Sequence, residues 1–212
     1  MSLPVSEHHQ ESPPPGRRER RKADTRQRLL DAALASFAQV GYHASTFDDI
    51  ANAADVSRAT AFNYFPRKED LIIGLAEDRR AAVASILHAD LERDVPTPTV
   101  LHDMLRHLAE WYEADCATNQ ALVRCTLQAG SALIPGWFGS AELLARAISI
   151  GQDRGNVRPH VDPDRAGALI LDGYLGVLYR WACDELPPNM LATELAGMLD
   201  IVLGGLVNAK RR

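Results

Sequence analysis

The sequence predicts an all-α protein of about nine helices, with a small N-terminal three-helix unit and a larger helical body. Three observations carry this. Apolar residues recur at i, i+3, i+4, i+7, as in Leu30, Ala33, Leu34 and Phe37. No run of alternating apolar and polar residues lasts long enough between turn signals to make a strand. Aromatics are 6% of a chain that is 46% hydrophobic, so the core is aliphatic, which favours packed helices over a β-sandwich.

Residues 1–22 contain Pro13-Pro14-Pro15-Gly16 and few apolar side chains, and are expected to be a disordered basic arm. From Asp24 the pattern becomes helical and runs to Val40, where Gly41 stops it. Thr46, with Asp49 three residues on, makes a capping-box arrangement opening a short helix that carries Phe47, Ile50, Ala51 and Ala54. Ser57 caps a second short helix reaching about Phe65, and Pro66 ends it. Lys68-Glu69-Asp70 begins a long helix toward Leu91. Residues 23–70 are thus a first domain and 71–212 a second.

In the second domain Pro96 and Pro98 open a helix bearing Leu101, Leu105, Leu108 and Trp111, and a further helix is expected over about Ala121–Gln128. Ile134-Pro135-Gly136 reads as a loop, followed by a helix from about Phe138 to Arg154 that Gly155 stops. The last two helices, about Asp164–Glu185 and Leu191–Lys210, are the most apolar.

Composition narrows the function. The net charge is −5, which disfavours a protein that coats nucleic acid non-specifically. Its distribution is uneven: residues 1–68 hold ten Lys/Arg against eight Asp/Glu, and the remainder 13 against 20. Seven basic residues fall within Arg17–Leu30, so one end of an acidic molecule is suited to a polyanion. No apolar run is long enough to span a bilayer and no secretory signal is evident, so a cytoplasmic protein is expected. Cys116, Cys125 and Cys183 lack metal-ligand spacing and read as reduced, buried thiols.

The chemistry concentrates between Phe47 and Phe65. Two short helices behind a longer one form a compact unit, with Leu30, Leu34, Phe37, Ile50 and Ala51 inside and Val56 plugging the turn. This leaves Arg58, Thr60 and Asn63 outward on the third helix, with Tyr64 at its end; Phe65 reads as core. In a helix-turn-helix that helix enters the major groove, which is wide enough to admit it. Arg58 suits a bidentate pair to guanine, Asn63 a base edge or phosphate, and Thr60 either of these or a thymine methyl.

The stretch Thr25–Ala33, then Phe37, Gly41-Tyr42, Thr46, Asp49-Ile50-Ala51, Val56-Ser57 and Phe62–Leu71 resembles the DNA-binding domain of the tetracycline-repressor (TetR) family. The resemblance covers about 50 residues. It implies a three-helix DNA-binding domain and a larger helical domain that binds a small effector and dimerises. By position, Thr46, Arg58, Ala59, Thr60, Asn63, Tyr64 and Lys68 match family positions that commonly touch DNA. Two residues depart from the pattern: Asp55 stands where the family often has Gly, and Arg67 where it often has a Ser, Asn or Asp cap. Arg67 adds a positive charge beside Lys68 and is counted with the DNA-binding set. Phe62 stands where the family often has Tyr and is expected to pack rather than make a polar contact.

The body has no catalytic constellation in sequence. His102 and His107 are badly spaced for chelation, Ser131 and Ser140 lack a nucleophile-elbow context, and no Gly-rich phosphate loop occurs. An enzyme, a metal site and a cofactor are therefore not expected. Met104, Trp111, Gln128, Trp137, Phe138 and Tyr174 are candidates to line an apolar pocket between helices, with Gln128 or Tyr174 as orienting polar group. They point to a hydrophobic or aromatic effector.

Leu195, Met198, Leu199, Val202, Leu203 and Leu206 form a broad stripe, and the helix before it is apolar nearly all round. A helix apolar on all sides needs burial on all sides, and Gly173, Gly176, Gly204 and Gly205 suit close helix approach. A two-fold four-helix interface between protomers meets both conditions, as the resemblance implies. The expectation is a homodimeric, sequence-specific transcriptional regulator, a repressor released from a palindromic double-stranded operator by a small effector. An all-α carrier or enzyme with an incidental helix-turn-helix is the competing reading. A nucleoid-type structural protein is disfavoured by a pI near 5.8.

Overall fold

The computed structural model describes residues 16–93, 95–129 and 134–206; for 127–129, 134–138 and 206 the description is of the backbone alone. Nine helices make up the described residues: α1 (Arg17–Ala44), α2 (Phe47–Ala53), α3 (Arg58–Tyr64), α4 (Lys68–Leu91), α5 (Thr97–Ala114), α6 (Cys116–Ala129), α7 (Ile134–Asp153), α8 (Pro163–Ala182) and α9 (Leu191–Leu206). No strand occurs among them.

The first helix is longer than its apolar stripe suggests. Residues 17–22 of the expected arm are helical, opened by Gly16, whose N–H donates to Glu19 Oε2 at 2.9 Å; residues 1–15 lie outside the described residues. The charged side chains here are exposed, but Arg and Lys are good helix formers and extend a helix already nucleated by its buried face. Gly41 breaks the regular backbone of α1 at φ 82, ψ 166, a conformation open to glycine because it lacks a Cβ.

Two further boundaries differ from expectation. The helix α6 starts at Cys116 rather than Ala121, because Asp115 accepts from the Thr118 N–H at 3.4 Å and serves as a cap. Ile134-Pro135-Gly136 is the first turn of α7 rather than a loop, a place where proline loses no intrahelical hydrogen bond. The cysteines also divide: Cys125 is buried, but Cys116 and Cys183 are exposed at the ends of α6 and α8.

Two apolar clusters organise the molecule. The first joins Leu29, Leu30, Phe37, Tyr42, Ile50, Ala61, Phe65, Leu71 and Ile72 of α1–α4 with Cys125 of α6. The second fills the body from α4–α9, and includes Leu101, Val123, Ile148, Ile170, Trp181, Leu195 and Leu199. Both α4 and α6 thus contribute to each end. Bringing α7 against α8 requires Gly167, where a Cβ would lie 2.6 Å from the Ala141 carbonyl oxygen. Loops are braced by side chains: Gln152 donates to the Arg158 and Val161 carbonyls, and Asp162 caps α8.

Candidate nucleic-acid interface and interior cavity

The two short helices are set by local chemistry. Thr46 Oγ1 accepts from the Asp49 N–H at 3.2 Å, and Ser57 Oγ accepts from the Thr60 N–H at 3.1 Å; each side-chain cap contributes about 1 kcal/mol. The turn between them passes through Asp55 at φ 55, a left-handed conformation that suits the glycine the family often has there. Val56 packs on the first cluster and Ala61 is fully buried, so the opposite face of α3 points outward. Arg28 donates to the Ala54 carbonyl at 2.9 Å, tying α1 to the end of α2.

Of the expected DNA-contacting residues, Thr46, Arg58, Ala59, Asn63 and Arg67 are exposed and Thr60, Tyr64 and Lys68 are half-buried. Arg58 pairs with Asp48 on α2 and lies 5.3 Å from the Phe62 ring centroid. Thr60 Oγ1 and Ser57 Oγ share a hydrogen bond of 2.8 Å. Asn63 makes no side-chain hydrogen bond among the described residues. Phe62 packs as expected, stacked on Phe47 at 4.4 Å.

The two basic residues at the start of α4 are engaged in different ways. Arg67 holds Asp70 at 2.7 Å on the surface, and its hydrogen bonds keep the Asp70 carboxyl below its usual range. Lys68 turns its ammonium inward, donating to the Tyr42 and Ser45 carbonyls at 2.6 and 3.0 Å and lying 4.3 Å from the Tyr42 ring centroid. Tyr42 in turn donates to Glu69 Oε1 at 2.7 Å. The end of α1 and the start of α4 are thereby clasped together beside the reading helix.

Among the seven basic residues in Arg17–Leu30, Arg26 and Arg28 reach across the fold. Arg26 pairs with Asp78 of α4 at 2.9 Å, and Arg28 makes the contact just described. Arg17, Arg18, Arg20, Arg21 and Lys22 stay exposed at the start of α1.

The body encloses a cavity of about 810 Å³ between α4, α5, α6, α7 and α8, walled chiefly by Leu105, Leu108, Leu122, Leu144, Ile170 and Leu178. Of the residues expected there, Met104 and Tyr174 line it. Trp111 does not: it is 46% exposed, with Arg79 above its ring at 4.2 Å. One helical step turns a side chain by about 100°, so Trp111 faces out where Tyr112 faces in. The side chains of Gln128, Trp137 and Phe138 lie outside the described residues.

Arg79, Tyr112 and Asn119 form a polar group the sequence did not disclose. Arg79 donates to Tyr112 Oη at 3.0 Å and Asn119 Oδ1 at 3.1 Å, and the Tyr112 and Tyr174 hydroxyls share a hydrogen bond of 2.9 Å. Asn119 is held by donating to the Tyr112 carbonyl. Desolvation, more than its neighbours, pushes the Tyr174 hydroxyl well above the usual tyrosine value, so it stays protonated.

On α8 and α9 the expected apolar surface is partly unburied. Leu169 is 54% and Ile201 82% exposed. Gly173 does permit close approach, to Met198 of α9, but Gly176, Gly204 and Gly205 have open space where a Cβ would stand. Among the described residues, Gly173 alone of these four serves helix packing. The side chain of Leu206 lies outside the described residues.

A capped pair of short helices displaying a polar face, on a helical body with a ligand-sized cavity, defines a helix-turn-helix regulator. Comparison with known proteins agrees. Residues 29–75 match the model of the bacterial regulatory proteins of the tetR family. The chain is 23% identical over 192 residues to the HTH-type transcriptional regulator YhgD of Bacillus subtilis, covering 86% of this chain and 97% of YhgD. The FadR repressor of Thermus thermophilus, a TetR-family protein solved with lauroyl-CoA, superposes with a TM-score of 0.68 at 26% identity, covering 88% of this chain and 97% of FadR. SmeT, the repressor of a Stenotrophomonas maltophilia efflux pump, shares the fold with a TM-score of 0.73 at 22% identity, over 88% of this chain and 94% of SmeT. Residues 29–75 thus form a DNA-binding domain of the tetR type, and the chain as a whole shares the fold of TetR-family regulators.

Proposed function

We propose that the protein is a homodimeric repressor that binds a palindromic operator through α3 and is released when a small apolar molecule occupies the cavity. The observation that carries this is the exposed face of α3, capped by Ser57 and held from behind by the first apolar cluster. Arg58, Thr60 and Asn63 are the residues assigned to base edges, and Thr46, Ala59, Tyr64, Arg67 and Lys68 to the surrounding backbone. Engaging phosphate requires Arg67 to share its bond to Asp70 and Lys68 to rotate away from Tyr42. The exposed cations Arg17–Lys22, with residues 1–15 ahead of them, supply a basic arm for the phosphate backbone. Acting on the chromosome, the protein works in the cytoplasm.

Dimerisation is supported by Leu169 and Ile201, large apolar side chains left in water on the two helices that carry the open glycines. The ligand-bound FadR relative supports the cavity as an effector site. Two helices link that cavity to the reading head. Arg79 of α4 lies at its wall, about 16 Å along the helix axis from Lys68. On α6, Leu122 and Val123 line the cavity while the neighbouring Cys125 packs in the DNA-binding cluster. A ligand favouring one arrangement of these helices shifts the spacing of the two heads in proportion to its preference.

The test uses compounds that raise the melting temperature of the full-length protein. Those that bind are expected to weaken operator affinity at least tenfold at fixed salt in a mobility-shift titration. A compound that binds the cavity tightly and leaves operator affinity unchanged would overturn the switch.

A further inference from the structure

Arg79 is the unusual group in the cavity wall. Its guanidinium is half-buried, fixed 4.2 and 4.7 Å from the ring centroids of Trp111 and Tyr112, and bonded to a phenol and an amide, both neutral. No carboxylate of the described residues forms an ion pair with it. Glu77 and Asp172 border the same cavity but are exposed, as is Arg80; Arg67, also at the border, is already paired with Asp70. The remaining wall is chiefly aliphatic, with Thr126, Ser140 and Tyr179 as its other polar side chains. A partly desolvated cation without a counterion carries a cost, and the two tyrosine hydroxyls next to it add hydrogen-bonding capacity directed at the same spot.

Resting on the reading of this cavity as an effector site, we propose that it takes an amphipathic acid: one anionic head at Arg79, Tyr112 and Tyr174, and an uncharged apolar body along the aliphatic wall. The head supplies the missing counterion. A carboxylate accepts two parallel N–H bonds from a guanidinium, geometry that an alcohol cannot match and a cation opposes. Because Arg79 stands on α4, neutralising it also breaks or redirects the bonds that join α4 to α5 and α6. Charge recognition and the mechanical link to the reading head thus meet at one residue.

The test compares decanoate, 1-decanol and decyltrimethylammonium, which share a chain and differ in head charge, by isothermal titration calorimetry on the full-length dimer. Decanoate is expected to bind at least tenfold more tightly than decanol, with no measurable binding of the cation. The variant Arg79→Gln should bring acid and alcohol to equal affinity. Arg79→Lys should keep the preference in weakened form, and Tyr174→Phe should reduce it. Equal binding of acid and alcohol by the unaltered protein, preference for the cation, or no binding of any of the three would overturn the assignment. Tight, Arg79-dependent binding of decanoate without operator release would instead overturn the effector reading and leave the head-group assignment standing.

Discussion

Asp55 sits at φ 55 in the turn between α2 and α3, where an L side chain crowds its own backbone and glycine does not. Replacing it with Gly is expected to raise stability by about 0.5–1 kcal/mol, read as a higher urea midpoint; an unchanged or lowered midpoint would contradict the backbone argument. Tyr42 illustrates a second single-residue effect. Its hydroxyl donates to Glu69 and, as the largest influence, holds that carboxyl below its usual range. A carboxyl depressed in the folded state stabilises fully above its unfolded value, near ~4.3, and the contribution is lost as pH falls through the folded value. Tyr42→Phe should therefore lower stability at pH 7 and make the decline toward pH 3 shallower. Parallel stability curves for the two proteins would show that the bond does not matter. The Asp55 turn was legible only through the family resemblance, in which glycine often stands there. The Lys68 and Tyr42 clasp was not, since its partners lie 23 to 27 residues apart and meet only in three dimensions.

Among the helices, those that begin at a strong local cap were legible and those positioned by distant contacts were less so. Thr46, Ser57 and the Pro66-to-Asp70 step mark α2, α3 and α4 within a few residues of their observed bounds. By contrast, the apolar pattern alone places the start of α6 five residues late, and Pro135 reads as a breaker although it occupies a first turn. The cavity had partial expression in sequence: Met104 and Tyr174 were found through size and apolar context. The polar group of Arg79, Tyr112 and Tyr174 spans separations of 33 and 62 residues, and no periodicity connects them. The α7–α8 crossing gives a direct test at this scale. A Cβ at Gly167 meets the Ala141 oxygen and Ala145 nitrogen at 2.6 and 2.7 Å, and backbone atoms cannot swing aside as a side chain would. Gly167→Val should cost roughly 3 kcal/mol or more, since overpacking of this kind forces whole helices apart. Thermal unfolding unchanged from the parent protein would mean that the crossing is looser than its geometry.

For the assembled molecule, the reading head and the apolar rear of the body depend on each other. In the proposed assembly one α3 presents Arg58, Thr60 and Asn63, too few groups to define a specific site alone, so specificity rests on two heads held at fixed spacing. The exposed Leu169 and Ile201 offer the means. Ile201→Arg should convert the proposed dimer to a monomer in sedimentation velocity, with the helical content of each chain unchanged, and a dimer that persists would direct attention to another surface.

The most direct test is selection of binding sites from random duplex DNA by the full-length protein, run beside Arg58→Ala and Ile201→Arg. The proposed architecture predicts a short inverted repeat whose half-sites are about 34–36 Å apart, or a multiple of one turn. Arg58→Ala should relax the choice at one base pair in each half, and the monomeric variant should enrich no full repeat. Enrichment of nothing by the parent protein, or of a site without two-fold symmetry that the Ile201 variant binds equally well, would contradict it.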